Sequence, residues 1–258
     1  MLKKVLFVLV STIVVHVSSS DAATFADEVV SYNPGVDAAR NYTNTAAVLG
    51  EPSRVNPFGD AVEPFNPPYG KNQILSIGTG GSVTVEFHTP ILNHPKNPFG
   101  LDFIIFGNSG FIITNDFDFT TFDWVGIPAT DGSMFANNSG STRVSVSQDG
   151  INWFALNPAI TPTVDGLFPT DGAGDFQMPV DPSLTQSDFA GLTADHIAEL
   201  YDGSGGGTGY DISWAQDANG KSVGLGAVKF IRVEVLTGKS EIDGFASVFG
   251  PRRFGHAK

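Results

Sequence analysis

Between Ser82 and His88 the apolar side chains fall on every second residue, Val83, Val85 and Phe87, with Thr84, Glu86 and His88 between them. A period of two marks a strand with one buried face, so Thr84, Glu86 and His88 are expected to face solvent. Phe103-Ile104-Ile105-Phe106 is apolar on both faces, and the run Leu101 to Phe106 is predicted to be a central strand. Further strand-like runs are Ile74 to Ile77, Asp116 to Trp124, Arg143 to Ser147, Asn152 to Leu156, Val228 to Leu236 and Ile242 to Phe249. Turn signals separate them, among them Gly78-Thr79-Gly80-Gly81, Gly107-Asn108, Asp149-Gly150 and Gly238. Val144 to Leu156 reads as strand, Asp-Gly turn, strand, because Gly150 accepts the positive φ of such a turn.

Helical periodicity is confined to Thr193–Tyr201. Thr193 is placed to cap the N-terminus, Asp195 favours the first turn, Ile197 and Leu200 share a face, and Gly203 can end the helix. Gly203-Ser204-Gly205-Gly206-Gly207-Thr208-Gly209 lacks the Lys-Ser/Thr pair of a phosphate loop and is read as a flexible turn. Residues 23–70, rich in Pro, Asn and Gly, are expected to be an irregular entry segment, and 157–216 a long insertion carrying the helix near 193–201. The pattern predicts an all-β fold, one antiparallel β-sandwich of jelly-roll type spanning 23–258, with one short helix in the insertion.

Composition adds location. Lys3 and Lys4 precede an apolar run from Val5 to Val17 and small residues up to Ala22, the order of a secretory signal over residues 1–22. That run is shorter than the ~20 residues a spanning helix needs, and no comparable stretch follows, so the expected mature chain is secreted or held at the cell surface without a membrane span. The chain has no cysteine, which excludes disulfides, thiol catalysis and Cys-ligated zinc. Its formal charge of −13 becomes −14 when Lys3, Lys4 and Asp21 leave with the leader, which disfavours nucleic acid and anionic membranes as partners. Twenty-one phenylalanines and 30 glycines against 16% charged residues suit short strands and tight turns.

Ser147-Gln148-Asp149-Gly150-Ile151-Asn152-Trp153 after an alternating strand resembles the hairpin of discoidin-like and other galactose-binding-like jelly rolls. Val228 to Val235 and Glu241 to Val248 resemble the late strands that close those sandwiches. Ala26 to Gly35, Ile74 to Ser82, Asn97 to Asn108 and Gly206 to Trp214 resemble segments of exported bacterial cell-surface proteins, many with a PEP-CTERM sorting tail. That resemblance implies an exported protein and no particular activity. The Pro-Glu-Pro, apolar span and basic end of such a tail are not found here, so release or retention by a partner is expected.

Candidate chemistry is sparse. The Gly-x-Ser-x-Gly elbow of a nucleophilic hydrolase is absent, and His88, His94, His196 and His256 lack zinc-ligand spacing. In Asn115-Asp116-Phe117-Asp118-Phe119 a continuous strand would put Asp116 and Asp118 on one face, two hard oxygen donors suited to calcium; the alternative is a solvated polar face over buried phenylalanines. Asp171-Gly172-Ala173-Gly174-Asp175 resembles one fragment of a calcium repeat or an ordinary turn. Trp124, Tyr210 and Trp214 could offer flat apolar faces to a sugar ring, whereas Trp153 is expected to pack on the core rim. The leading expectation is a non-catalytic, calcium-assisted module for glycan or another surface or matrix partner. A self-associating structural protein and a secreted glycoside hydrolase or lyase are the alternatives.

Overall fold

The structure is a computed structural model that describes residues 24–136 and 140–248. The expected leader at 1–22 and the final residue of the strand expected to reach Phe249 lie outside the described residues. In chain order the first eight strands are β1 (Glu28–Asn33), β2 (Leu75–Gly78), β3 (Ser82–Leu92), β4 (Phe103–Gly107), β5 (Gly110–Ile113), β6 (Phe117–Asp118), β7 (Asp123–Trp124) and β8 (Thr130–Phe135). They are followed by β9 (Ser141–Ser147), β10 (Phe154–Leu156), helix α1 (Ala194–Leu200), β11 (Thr208–Tyr210), β12 (Ala215–Gln216), β13 (Ala227–Thr237) and β14 (Lys239–Ser247). The fold is an all-β antiparallel sandwich: one sheet has the order β1-β3-β13-β9-β10-β12, the other β11-β4-β14-β2. Two short ribbons, β5-β8 and β6-β7, stand apart from both.

The period-two pattern explains the core. Val83, Val85 and Phe87 of β3, Ile231, Val233 and Val235 of β13, and Val144 and Val146 of β9 meet Leu75, Ile77, Phe103, Ile105, Ile242 and Phe245 from the smaller sheet. Because β4 is apolar on both faces, its other side can be buried too. Ile104 and Phe106 pack with Ala246, Val248 and Phe176 in a separate outer layer, and β4 lies between β11 and β14 as a central strand should.

The outer face of the larger sheet departs from expectation at one row. Thr84 points away from the core yet is only 1% exposed. Arg232 stands opposite it in register, donates from Nε to Thr84 Oγ1 at 3.1 Å, and lies 3.8 Å under the ring of Trp153. Trp153 therefore packs on the outer face and not on the core rim, its indole N–H donating to Gly150 O across the turn it follows. The guanidinium packs on the indole face while its stem shields the hydroxyl below.

The segments expected to be irregular supply strands. β1, within 23–70, forms an edge of the larger sheet, and β11 and β12, within 157–216, are paired into the two sheets. The intervening chain folds back to bury Phe168, Val180, Phe189, Ile197 and Tyr201 against Phe111, an apolar cluster of its own. Thr193 occupies the N-cap position of α1, but its hydroxyl meets the His196 ring instead of a backbone N–H. The glycine run is a packed track and not a loose turn: a Cβ on Gly207 would come within 2.6 Å of Ile104, and its φ is +81°. Only a residue without a side chain lets the backbone lie this close to β4.

Three buried carboxylates fasten loops to the smaller sheet. Asp102 accepts from the amides of His94 and Ile212 and from Asn97 Nδ2. Asp243 accepts from the Ser53 amide and hydroxyl, and Asp165 from the amides of Asn108 and Ser109. Burial pushes their carboxyls up to about 6, about 7 and about 8 respectively, against the opposing effect of those donors. A carboxyl whose pKa is higher in the folded state stabilises the fold while protonated, and that contribution is lost as pH rises through the folded value. Exposed Asp118, Asp131, Asp149, Asp181 and Asp188 shift downward through local donors, so their contribution disappears only on strong acidification. Stability in urea is expected to be greatest at about pH 5 and to fall towards about pH 9, with Asp165→Asn flattening the fall above about pH 7. Stability that rose across this window would contradict the assignment.

Candidate functional site

The β5-β8 ribbon leaves the sandwich carrying residues 114–129 at its far end. Asn115 locks the base of this hairpin: Nδ2 donates to the carbonyls of Val125 (3.0 Å) and Ile127 (3.1 Å), and Oδ1 accepts from the Ala129 amide (2.7 Å). Further out, β6 and β7 pair Phe117 with Trp124 and Asp118 with Asp123. The tip closes through Phe122 N–H to Asp118 O at 2.8 Å and Thr120 N–H to Asp118 Oδ1 at 2.7 Å. The strand expected over Asp116 to Trp124 is thus two dipeptides joined by a turn.

Phe117 sits at the centre of three other rings. Phe119, Phe122 and Trp124 surround it edge-on with centroids 5.2, 5.6 and 5.1 Å away. Packing among themselves does not hide them, since Phe119 is 81% and Phe122 79% exposed, and Ile127 at the base of the hairpin is 76% exposed. Phe122 also has φ +60°, a left-handed backbone in which a bulky residue is strained. Neither burial nor backbone preference accounts for phenylalanine there, and residues held in strained backbone cluster at active sites and ligand clamps.

At the foot of the ribbon lies a cavity of about 440 Å³ lined by Phe111, Met134, Leu167, Phe168, Leu184 and Phe189. One wall is set by Gly132, whose φ is +85° and whose absent Cβ would fall 2.1 Å from Gln186 O. Cavity and hairpin share a single two-stranded mount.

Of the residues singled out in the sequence, Asp116, Asp118 and Trp124 come together on the hairpin. Asp116 is exposed, Asp118 is held by its own turn, and Trp124 is half-buried against Phe117. The other two lie elsewhere. Tyr210 does not offer a ring to solvent: β11 turns it into the core, fully buried and stacked on Phe103 at 5.2 Å. Trp214, in the turn after β11, is half-buried against the same core. Among the described residues, no three of His, Cys, Asp and Glu converge as metal ligands. Asp171, offered as part of a calcium fragment, accepts from the Ala173 amide in a local turn. Sequence reading placed Phe119 on a buried face, whereas it is 81% exposed, and did not single out Phe122 or Ile127; the signal for the two phenylalanines is Asp116-Phe117-Asp118-Phe119-Thr120-Thr121-Phe122-Asp123-Trp124, too dense in both charge and rings for an ordinary strand.

No protein-family model matches the chain, and no curated protein matches it.

Two variants probe this mount. Gly132→Ala should destabilise the protein by about 1–3 kcal/mol, through overpacking and a strained φ, as measured by urea unfolding. Phe122→Gly should leave stability within about 1 kcal/mol of the parent, because relief of left-handed strain offsets the lost aromatic pair.

Proposed function

We propose that this chain is an exported, non-catalytic binding module that recognises glycan through the 114–129 hairpin. The observation carrying this reading is the cluster of rings on the hairpin in which Phe119 and Phe122 pack edge-on about Phe117 and stay open to solvent. Phenylalanine faces pack on the apolar faces of sugar rings, and adjacent carboxylates accept hydroxyl hydrogen bonds. Asp116 and Asp123 are exposed on the same hairpin and open to a sugar hydroxyl, and Asp118 accepts from the Thr120 amide. The leader-like order of residues 1–22 and the galactose-binding-like strand sequence support an extracellular setting. In addition, no described helix is long and apolar enough to cross a membrane.

The test is a polysaccharide pull-down and glycan array with the purified chain, run with calcium and with a chelator. Binding should be lost in the Phe119→Ala/Phe122→Ala double variant while its unfolding transition stays in place. Absence of any glycan binding under both conditions would defeat the proposal.

A further inference from the structure

Residues 24–248 carry 26 acidic side chains against nine lysines and arginines, a formal net charge of −17. The ten residues 249–258 carry the opposite sign, with Arg252, Arg253 and Lys258, no acid, and two phenylalanines, Phe249 and Phe254. The chain leaves the described residues at a fixed point. The Val248 amide donates to Asp102 O at 2.8 Å, and Gln177 Nε2 donates to Ser247 O at 3.3 Å, so Val248 emerges between the chain around Asp102 and the chain around Gln177. The same two stretches wall a groove of about 430 Å³, with Phe99 from the first, Met178 and Pro179 from the second, and Leu200 from the end of α1. Asp181 and Asp202 also line it, against the single cation Lys96. α1 ends here with no basic residue in its last turn, so its terminal carbonyls add to the attraction for a cation. Phe99 is 54% exposed and has φ +58°, a left-handed backbone that bulky residues avoid.

We propose that this groove is the docking site of residues 249–258 of the same chain, with Phe254 on the apolar wall of Phe99, Met178 and Leu200 and the Arg252-Arg253 pair facing Asp181 and Asp202. The groove and the 114–129 hairpin share no residue, so this docking is independent of the glycan reading. Reach is ample: Phe249 to Phe254 spans about 20 Å when extended, and the groove wall at Met178 is the next residue after Gln177, which touches the point of exit. An aromatic ring covers apolar wall and makes favourable contacts with a methionine sulfur. Arginine adds planar donors suited to carboxylates, in the field of a strongly negative body. Tethering makes modest contacts sufficient, because a segment joined at the edge of its own site is held at an effective concentration of roughly mM. A purely apolar ligand would gain nothing from Asp181 and Asp202, and an inorganic cation would leave Phe99 and Leu200 uncovered; a basic segment with an aromatic side chain uses both.

Because the chain has no cysteine, a nitroxide attached to the Gly255→Cys variant reports on this segment alone. In the whole chain at low salt its electron paramagnetic resonance spectrum should be dominated by an immobilised component. Asp181→Asn/Asp202→Asn should shift the equilibrium about fivefold towards the mobile component, as two partly screened charge contacts would give. Arg252→Gln/Arg253→Gln, which leaves every groove residue in place, should produce a shift of the same size, and high salt should act in the same direction. Phe99→Asn, which keeps a residue tolerant of the left-handed backbone while removing the ring, should also raise the mobile component. A mobile spectrum in the parent chain would overturn the proposal, as would an immobilised one that none of these variants moves. An immobilised component that grows with protein concentration would overturn it too, since the segment would then be seated on a second copy.

Discussion

The smaller sheet is held to its surroundings by carboxylates taken out of water. Irregular chain lying against a sheet brings backbone N–H groups that no ladder can satisfy, and leaving them unpaired in an apolar interior is costly. Asp102, Asp165 and Asp243 answer that need from beside or within β4 and β14, each accepting from two or three donors. The solution has its own cost in buried charge, visible in the upward-shifted carboxyls. The chain at Ser53, His94 to Asn97, Asn108 to Ser109 and Ile212 is therefore specified by hydrogen bonds as well as by apolar contact.

That division of labour frees the β5-β8 ribbon. Its root is packed on the apolar cluster of Phe168, Phe189 and Tyr201, while its end is braced by one asparagine and a two-residue ladder. Phe119 and Phe122 stay exposed although they touch Phe117, and the proposed recognition rests on them.

Where side-chain period decided structure, the sequence was readable. The inner faces of β3, β9 and β13 follow directly from alternation, and the two-sided apolar run of β4 located the central strand. Alternation also oriented Thr84 correctly but could not show that Arg232 and Trp153, distant in sequence, would cover it. β1, β11 and β12 escaped notice because they are short or set among glycines and prolines, and their pairing comes from partners already in place. Tyr210 looked available beside a glycine-rich stretch, whereas its register with Phe103 turns it inward. At the hairpin, composition pointed to Asp116, Asp118 and Trp124, but the opposition of Asp118 and Asp123 depends on a turn that no periodicity announces.

The return of the long 157–216 segment into the smaller sheet has a consequence for modularity. β11 is the outermost strand on that side, and it covers β4, whose neighbouring side chains are nearly all apolar. A shortened relative or a proteolytic nick that released this stretch would uncover a ready template for intermolecular strand addition. What looks like a removable decoration is the guard rail that keeps the barest edge of the molecule from finding another chain.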